Sequence, residues 1–392
     1  MIKLALRNLT RRRTRTLLTI LGVAVAITFT VGLLSITEGF MNSFNQTTRE
    51  RKEDIYVLPR QAGGSTSPLL ESTGAVFLQA YVNDILNIDI DNVKAVYPIY
   101  TRTIYLGDAP DSMMGNFVVL NGVTPQFLPD LRPSLELEDG ELFKEGDEGT
   151  IVVGAAVAKA QELEVGDTFP LGVEGREIKI VGILKSTGGF EDMIAYAPLQ
   201  DVQLALNELG RITSAAVTVK DRNKTEETAD AITALHSEDI VGRTTEELAG
   251  VVRNLLSMAR AIHLSVASIA LLIGVLFILS TMLMAVSERT KEIGTMRAMG
   301  VRRVTIFRLI ITESLITCLI AGGLGCLGGV GLSKVITWAI HRFAGVAFLQ
   351  AVVSPGIFGA GLLIAVLIGV LAGLYPAWRI SKINIVEALR YE

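Results

Sequence analysis

Few stretches of this chain carry residues that could do chemistry, and the first to weigh is LKSTGG at 184–189. A lysine beside hydroxyls and glycines suggests a phosphate cradle, in which backbone N–H groups and an ammonium surround an oxyanion. Such a loop also needs glycines six residues and one residue before its lysine, and those positions here hold Lys179 and Leu184. The pattern is not met. The three histidines, His236, His263 and His341, have no metal-ligand spacing, and no G-x-S-x-G, H-E-x-x-H or C-x-x-C occurs. Cys318 and Cys326 share one apolar run, where two small packing residues account for them and no disulfide framework arises. No catalytic residue, no metal ligand and no cofactor of its own are therefore expected, and the chain reads as a non-enzyme.

One charged segment remains. Residues 287–303 read SERTKEIGTMRAMGVRR and lie between two long apolar runs. On a helix, Glu288, Glu292, Thr295 and Met299 share one face, and Ile293, Met296 and Gly300 share a neighbouring one. Gly294 and Gly300 disfavour a long free helix, so the expectation is a short one lying flat on a membrane surface and ending at Gly300. Methionine and isoleucine set among charges suit a helix that docks in a partner's groove. A solvated loop whose cations merely fix topology would carry the same residues, so both readings stand on the residues alone.

The flanking runs define what must position this segment. A bilayer-spanning helix needs about 20 mostly apolar residues. Thr16–Thr37, Ala261–Ser287 and Ser314–Ser333 contain no charged residue, and Phe343–Trp378 is uncharged over more than one span. Mean hydropathy is +0.45. The cytoplasmic candidates (the N-terminal segment, the segment after the second span and the tail) hold 15 basic and 4 acidic side chains, a net of +11, whereas residues 38–260 hold 19 and 35, a net of −16. Positive loops stay in the cytoplasm. The expected fold class is an α-helical membrane protein with four transmembrane helices and a large α+β extracytoplasmic domain inserted between helices 1 and 2. Both termini face the cytoplasm of the cell membrane, inner where there are two. The basic charge is explained by orientation, so no nucleic acid is expected.

The expected boundaries are a cytoplasmic amphipathic helix at 1–15, a first span at 16–37, and the outer domain with helical stalks at 38–260. A second span at 261–286 leads to the basic loop at 287–308, a third span at 309–334, an outer loop at 335–355, a fourth span at 356–375 and a tail at 376–392. The first run reads as an uncleaved anchor, since no small-x-small site ends it before Glu38. Within the outer domain DIYVLP, NVKAVYPIYTRTIYL, NFVVLNGV and AAVTVKD read as strands, DTFPLG with REIKIVGIL as a hairpin, and KTEETADAITALHS as a helix. The loop QAGGSTSPLLESTGAV at 61–76 is expected to be mobile.

The segment SERTKEIGTMRAMGVRR resembles the loop of the MacB/FtsX-like family of ABC transporter permeases. The opening ALRNLTRRRTRTLLTILGVAVAI and the closing YPAWRISKINIVEALRYE are similar to that family's ends. The resemblance implies a permease subunit whose segment 288–300 is a coupling helix docked on an ATPase subunit. Glu288, Arg289, Glu292, Ile293, Gly294, Arg297, Ala298 and Gly300 match its pattern, with Met296 and Met299 as local variants on the same segment. ATP and magnesium are expected on that partner, a separate chain, because the sequence begins seven residues before its arginine-rich opening. A second permease copy or paralogue and the membrane lipids are further expected partners, and a periplasmic adaptor stays open. Peptides, antibiotics or lipoproteins are the implied cargo. The alternatives are an FtsX-like regulator of cell-wall hydrolases and a membrane receptor without an ATPase.

Two features stay open on the residues. G-x-x-x-G at Gly325–Gly329 and Gly369–Gly373 serves packing within one chain as well as a dimer seam. Glu313, close to membrane depth, is a candidate functional group or the partner of Arg308 or Arg297, with the structural pair preferred.

Overall fold

A computed structural model describes residues 13–60, 75–88, 90–105, 117–171, 176–340 and 351–382. The amphipathic helix expected at 1–15 lies outside these up to residue 12. So do 61–74 of the glycine-serine loop, 341–350 of the expected outer loop and the tail from 383.

Helix α1 (Arg13–Glu50) covers the first apolar run and continues beyond it without a break. There follow β1 (Ile55–Pro59), β2 (Phe77–Leu78), α2 (Tyr81–Leu86), β3 (Val93–Tyr105), β4 (Phe117–Val123), α3 (Phe127–Leu131), β5 (Leu137–Gly140) and β6 (Thr150–Val153). The domain continues with α4 (Ala155–Ala160), β7 (Thr168–Leu171), β8 (Arg176–Leu184), β9 (Ile194–Pro198), α5 (Leu199–Ala205), β10 (Arg211–Ile212), β11 (Ser214–Val219), α6 (Thr225–Leu235) and β12 (Ile240–Thr244). Helix α7 (Thr245–Glu288) begins at the next residue. After it come α8 (Thr290–Ala298), α9 (Arg303–Ala339) and α10 (Pro355–Ser381).

Ten strands form one sheet in the order β12-β1-β11-β3-β4-β9-β6-β8-β5, with β7 hairpinned onto β8 through Thr168 opposite Lys179. Pairing is antiparallel except at β4–β9 and β6–β8. The alternation of side chains along each strand splits two cores across the sheet. In β1, Ile55 and Val57 join one core, while Tyr56 and Leu58 join the other. Every residue of β1 is buried, as for a strand covered on both faces. The domain is thus a mixed α/β layer structure, with α6 laid on β12 so closely that a Cβ at Gly242 would sit 2.6 Å from the Ala229 carbonyl oxygen.

Each of α1, α7, α9 and α10 contains a stretch long and apolar enough to cross a membrane. Their glycines answer the packing question raised by the sequence. A Cβ at Gly325 would lie 2.7 Å from Ile27 Cβ, and one at Gly329 2.6 Å from Val31 Cβ, so α9 meets α1 through its bare backbone. Thr28 Oγ1 donates to the Gly325 carbonyl at 3.1 Å across this contact. On its other side α9 meets α10, where Gly369 and Gly373 face Cys318 and Ser314, and Ser314 Oγ donates to the Gly369 carbonyl at 2.7 Å. These glycines therefore serve packing within the chain. Helix α10 starts on Ser354, whose hydroxyl accepts from Ile357 N–H, with Pro355 at the first helical position.

Candidate functional site

The charged segment folds as the short helix α8. Arg289 precedes it, and Thr290 Oγ1 donates back to the Ser287 carbonyl at 2.9 Å. Its other end closes on Gly300, whose φ of +91° is the left-handed conformation a glycine takes without strain. Gly300 N–H donates to the Arg297 carbonyl at 3.0 Å and Val301 N–H to the Met296 carbonyl at 3.1 Å, the paired bonds of a Schellman stop. Met296 and Val301 complete it by packing on the same small core.

That core changes the reading of Ile293. The sequence placed it among the residues offered to a partner, whereas its side chain is only 8% exposed and Gly294 beside it is buried too. Ile293 packs with Val286, Ile306, Ile310, Ala377 and Ile380, so it fastens α8 onto α7, α9 and α10. The physical reason is that a nine-residue helix cannot hold itself in water and needs an apolar anchor. Met296 and Arg297 are half-buried at the edge of the anchor. The opposite face of α8 carries Glu292 and Thr295 and, at its C-cap, Met299, all exposed, with Met299 at 76%, whereas Glu288, expected on the same face, is the exposed last residue of α7 beyond the break at Arg289.

Glu313 is nearly buried on α9, and Arg289 Nη1 lies 3.4 Å from both of its carboxylate oxygens. Arg289 is a partner that the sequence reading had not named. The pair ties the entry of α8 to α9, so Arg289 holds the helix in place and Glu313 answers its charge inside the bundle.

A second charged group, missed in the sequence, lies in the domain just past α1. Arg132 Nη1 and Nη2 bond the two oxygens of Glu53 at 2.5 and 2.8 Å, and Arg51 Nη2 bonds Glu191 Oε1 at 2.9 Å. Tyr56 donates to Glu53 at 2.5 Å and Tyr196 to Glu191 at 2.7 Å. Two guanidiniums balance two carboxylates in a buried cluster. Burial alone raises the Glu53 carboxyl, but Arg132, Arg51 and the Tyr56 hydroxyl reverse this and hold it at about 2. Burial and the Glu53 charge push Tyr56 up to about 12. The one sequence signal was RERKED, an unusually charged run immediately before a fully apolar strand.

The LKSTGG loop is occupied by the protein itself. The buried Asp192 carboxylate accepts from Thr187 N–H at 2.8 Å, Gly188 N–H at 2.9 Å, Ser186 Oγ at 2.7 Å and Thr187 Oγ1 at 2.8 Å. The donors that suggested an oxyanion cradle thus hold a resident one.

Residues 16–235 match the model of the MacB-like periplasmic core domain, and residues 264–385 match that of the FtsX-like permease C-terminal region. The chain belongs to the MacB/FtsX-like family of ABC transporter permeases. This permease is 28% identical to the ABC transporter permease MJ1507 of Methanocaldococcus jannaschii, over 100% of its own length and 98% of the relative's. It is 26% identical to the ABC transporter permease YknZ of Bacillus subtilis, again over 100% and 98%. Against the macrolide export ATP-binding/permease protein MacB of Bdellovibrio bacteriovorus it is 26% identical over 98% of its own length and 61% of that protein's. The solved periplasmic region of MacB from Actinobacillus actinomycetemcomitans superposes with a TM-score of 0.38 at 14% identity, covering 53% of the permease and 95% of that chain.

Proposed function

We propose that this permease is the non-catalytic membrane subunit of an ABC complex, worked by a separate ATPase that grips the exposed face of α8. The carrying observation is the two-sidedness of that helix. One face is fastened by Ile293 and the Arg289–Glu313 pair, while Glu292 and the exposed Met299 present charge and a soft apolar side chain outward, next to Glu288 at the end of α7. A rigidly held handle can pass on a push, whereas a tethered one cannot. With α8 and both termini in the cytoplasm, the acidic domain lies outside, and the unbroken helices α1 and α7 carry motion to it. The cargo class is a peptide, antibiotic or lipoprotein handled at the outer face. ATP and magnesium belong to the partner. The MacB-like domain match over 16–235 favours this reading over regulation of a cell-wall hydrolase.

Pairing with a second permease copy is supported by α7. Only 17% of its most apolar stretch is buried, against 39% in each of the other three helices. Val251, Leu255, Met258, Ile262, Ile269, Leu272 and Leu276 form an exposed stripe on it, and with Ser265 they recur at alternating steps of four and three. That is a seven-residue repeat, and Arg253 and Arg260 fall on its far side.

The test is co-purification of the full-length permease with its ATPase. Glu292→Arg and Met299→Glu are expected to lower ATPase retention at least about tenfold while leaving the melting temperature of the permease unchanged. Full retention in both variants would remove α8 as the handle.

A further inference from the structure

The ten-stranded sheet ends at β5, and a cavity of about 680 Å³ opens there between β5 and α4. That volume lies within the range of clefts that bury a small ligand. Ala155, Ala156, Leu163 and Ile183 give the cleft apolar surface. Glu138, Asp139, Glu162 and Glu164 add exposed carboxylates, and Lys159 is the one basic group among the described lining residues. Among the described residues none of these five charged groups makes an ion pair.

The surroundings have the same sign. Residues 134–167 hold 10 acidic and 2 basic side chains, so the field at the cleft draws cations and turns anions away. Two backbone features set acids on its walls. β5 pairs with β8 through a bulge, with Leu137 opposite Leu184 and Asp139 opposite Ile183. The successive residues Glu138 and Asp139 therefore both line the cleft, where a regular strand would send one to each face. On the other wall, α4 stops through Glu162 at φ +53°, with Leu163 N–H donating to the Ala158 carbonyl at 2.9 Å. Glycine takes that conformation without strain, so glutamate there puts a charge on the cleft against the preference of the backbone.

Ser186 and Asp192 also line the cleft, and both belong to the loop whose donors Asp192 holds. The same loop meets the outer turns of α1, where Ser43 Oγ donates to the Gly188 carbonyl at 3.4 Å. The neighbouring Glu191 bonds Arg51 at 2.9 Å. A ligand in the cleft thus touches the segment on which the exit of α1 is seated.

We infer that this cleft binds an extended cationic peptide segment of the cargo, with lysine or arginine against Glu138, Asp139, Glu162 and Glu164 and apolar side chains against Ala156, Leu163 and Ile183. It rests on the reading of the outer domain as the part that handles cargo, and it adds the charge and the place. An anionic or purely apolar ligand would leave these carboxylates unanswered.

The test uses full-length permease in neutral detergent, without ATPase, and follows the anisotropy of fluorescein-labelled hexapeptides. The leucine–lysine alternating peptide is expected to bind at least about tenfold more tightly than its leucine–glutamate counterpart and more tightly than a lysine-only peptide, and to weaken as salt is raised. Glu138→Gln combined with Glu164→Gln, and separately Ala156→Trp, which fills the cleft, are each expected to weaken it about fivefold or more. Glu226→Gln with Glu227→Gln on α6 should leave it unchanged. Glu162→Gly is expected to weaken binding while the melting midpoint holds or rises, a split that a merely structural residue would not give. Equal binding of the leucine–lysine and leucine–glutamate peptides, equally tight binding of the lysine-only peptide, or binding undiminished in the cleft variants overturns the site. Those outcomes leave the α8 handle standing, and failure of ATPase retention in the α8 variants leaves the cleft standing.

Discussion

Arg132 holds Glu53 with two hydrogen bonds, Nη1 to Oε2 at 2.5 Å and Nη2 to Oε1 at 2.8 Å, three residues beyond the end of α1. The fork of a guanidinium matches the two oxygens of a carboxylate, so this contact fixes direction as well as distance. Arg51, the first residue past the helix, bonds Glu191 in the same cluster. The exit of α1 is thereby bolted into the sheet, which is what a helix proposed to transmit motion would need.

Breaking that bolt is expected to be costly. Arg132→Met leaves Glu53 buried with one strong partner fewer, and such losses cost about 3–5 kcal/mol. Thermal unfolding of the full-length variant, followed by far-UV circular dichroism, should show the loss. Replacing Arg132 and Glu53 together with apolar residues should recover much of it.

Acid should weaken the domain in a defined window. The unfolded Glu53 takes up its proton near 4.5, while the folded one keeps its charge down to about 2. Between those values the unfolded state binds more protons, so the stabilisation is complete above about pH 4.5 and drains away as pH falls toward 2. Glu191, burial notwithstanding, is lowered by Arg51 and Arg132, and acts in the same direction. Glu53 alone contributes on the order of 3 kcal/mol. Melting midpoints should be flat above pH 5 and decline steadily below it, and Glu53→Gln should flatten the decline.

Glycines in α9 should divide by what faces them. Gly325→Ala would put a Cβ 2.7 Å from Ile27 Cβ and 2.9 Å from the Ala24 carbonyl, which must push α1 away. At Gly331 nothing lies within 4 Å, and alanine is the better helix former there. The first variant is expected to lower the melting midpoint of the detergent-solubilised protein and the second to leave it level or raise it.

The α7 stripe should report the second copy. Met258→Cys, in the stripe, is expected to form a disulfide-linked dimer in membranes treated with mild oxidant. Arg260→Cys, on the far side of the same turn, should not. The native Cys318 and Cys326 are buried, so background cross-linking should stay low.

Much of this architecture was legible because single physical rules decided it. Long uncharged runs forecast four apolar helices, and runs of β-forming residues, alternating in places and clustered in others, marked β1, β3, β4, β8 and β11. Gly300 marked the end of α8 because a left-handed turn there asks for glycine. The strands β9 and β12 were not read. IAYAP holds two alanines, weak strand formers, where the equally buried β1 holds Tyr56, Val57 and Leu58, and IVGRT is short and interrupted by a glycine. Ile293 shows the other limit. Its face on the helix was correct from spacing, but whether that face met a partner or the chain's own core depended on Ile306, Ala377 and Ile380, far away in sequence.

Sequence alone determined the polarity of the molecule, the four apolar helices and the family, because charge, hydropathy and a contiguous motif are local properties of the chain. Tertiary structure alone decided which partner each buried charge found. Arg51, Glu53, Arg132 and Glu191 are separated by up to 140 residues, and Arg289 meets Glu313 from 24 residues away. Burial forces charges to pair, yet with many opposite charges available only the packing of the backbone selects which ones meet.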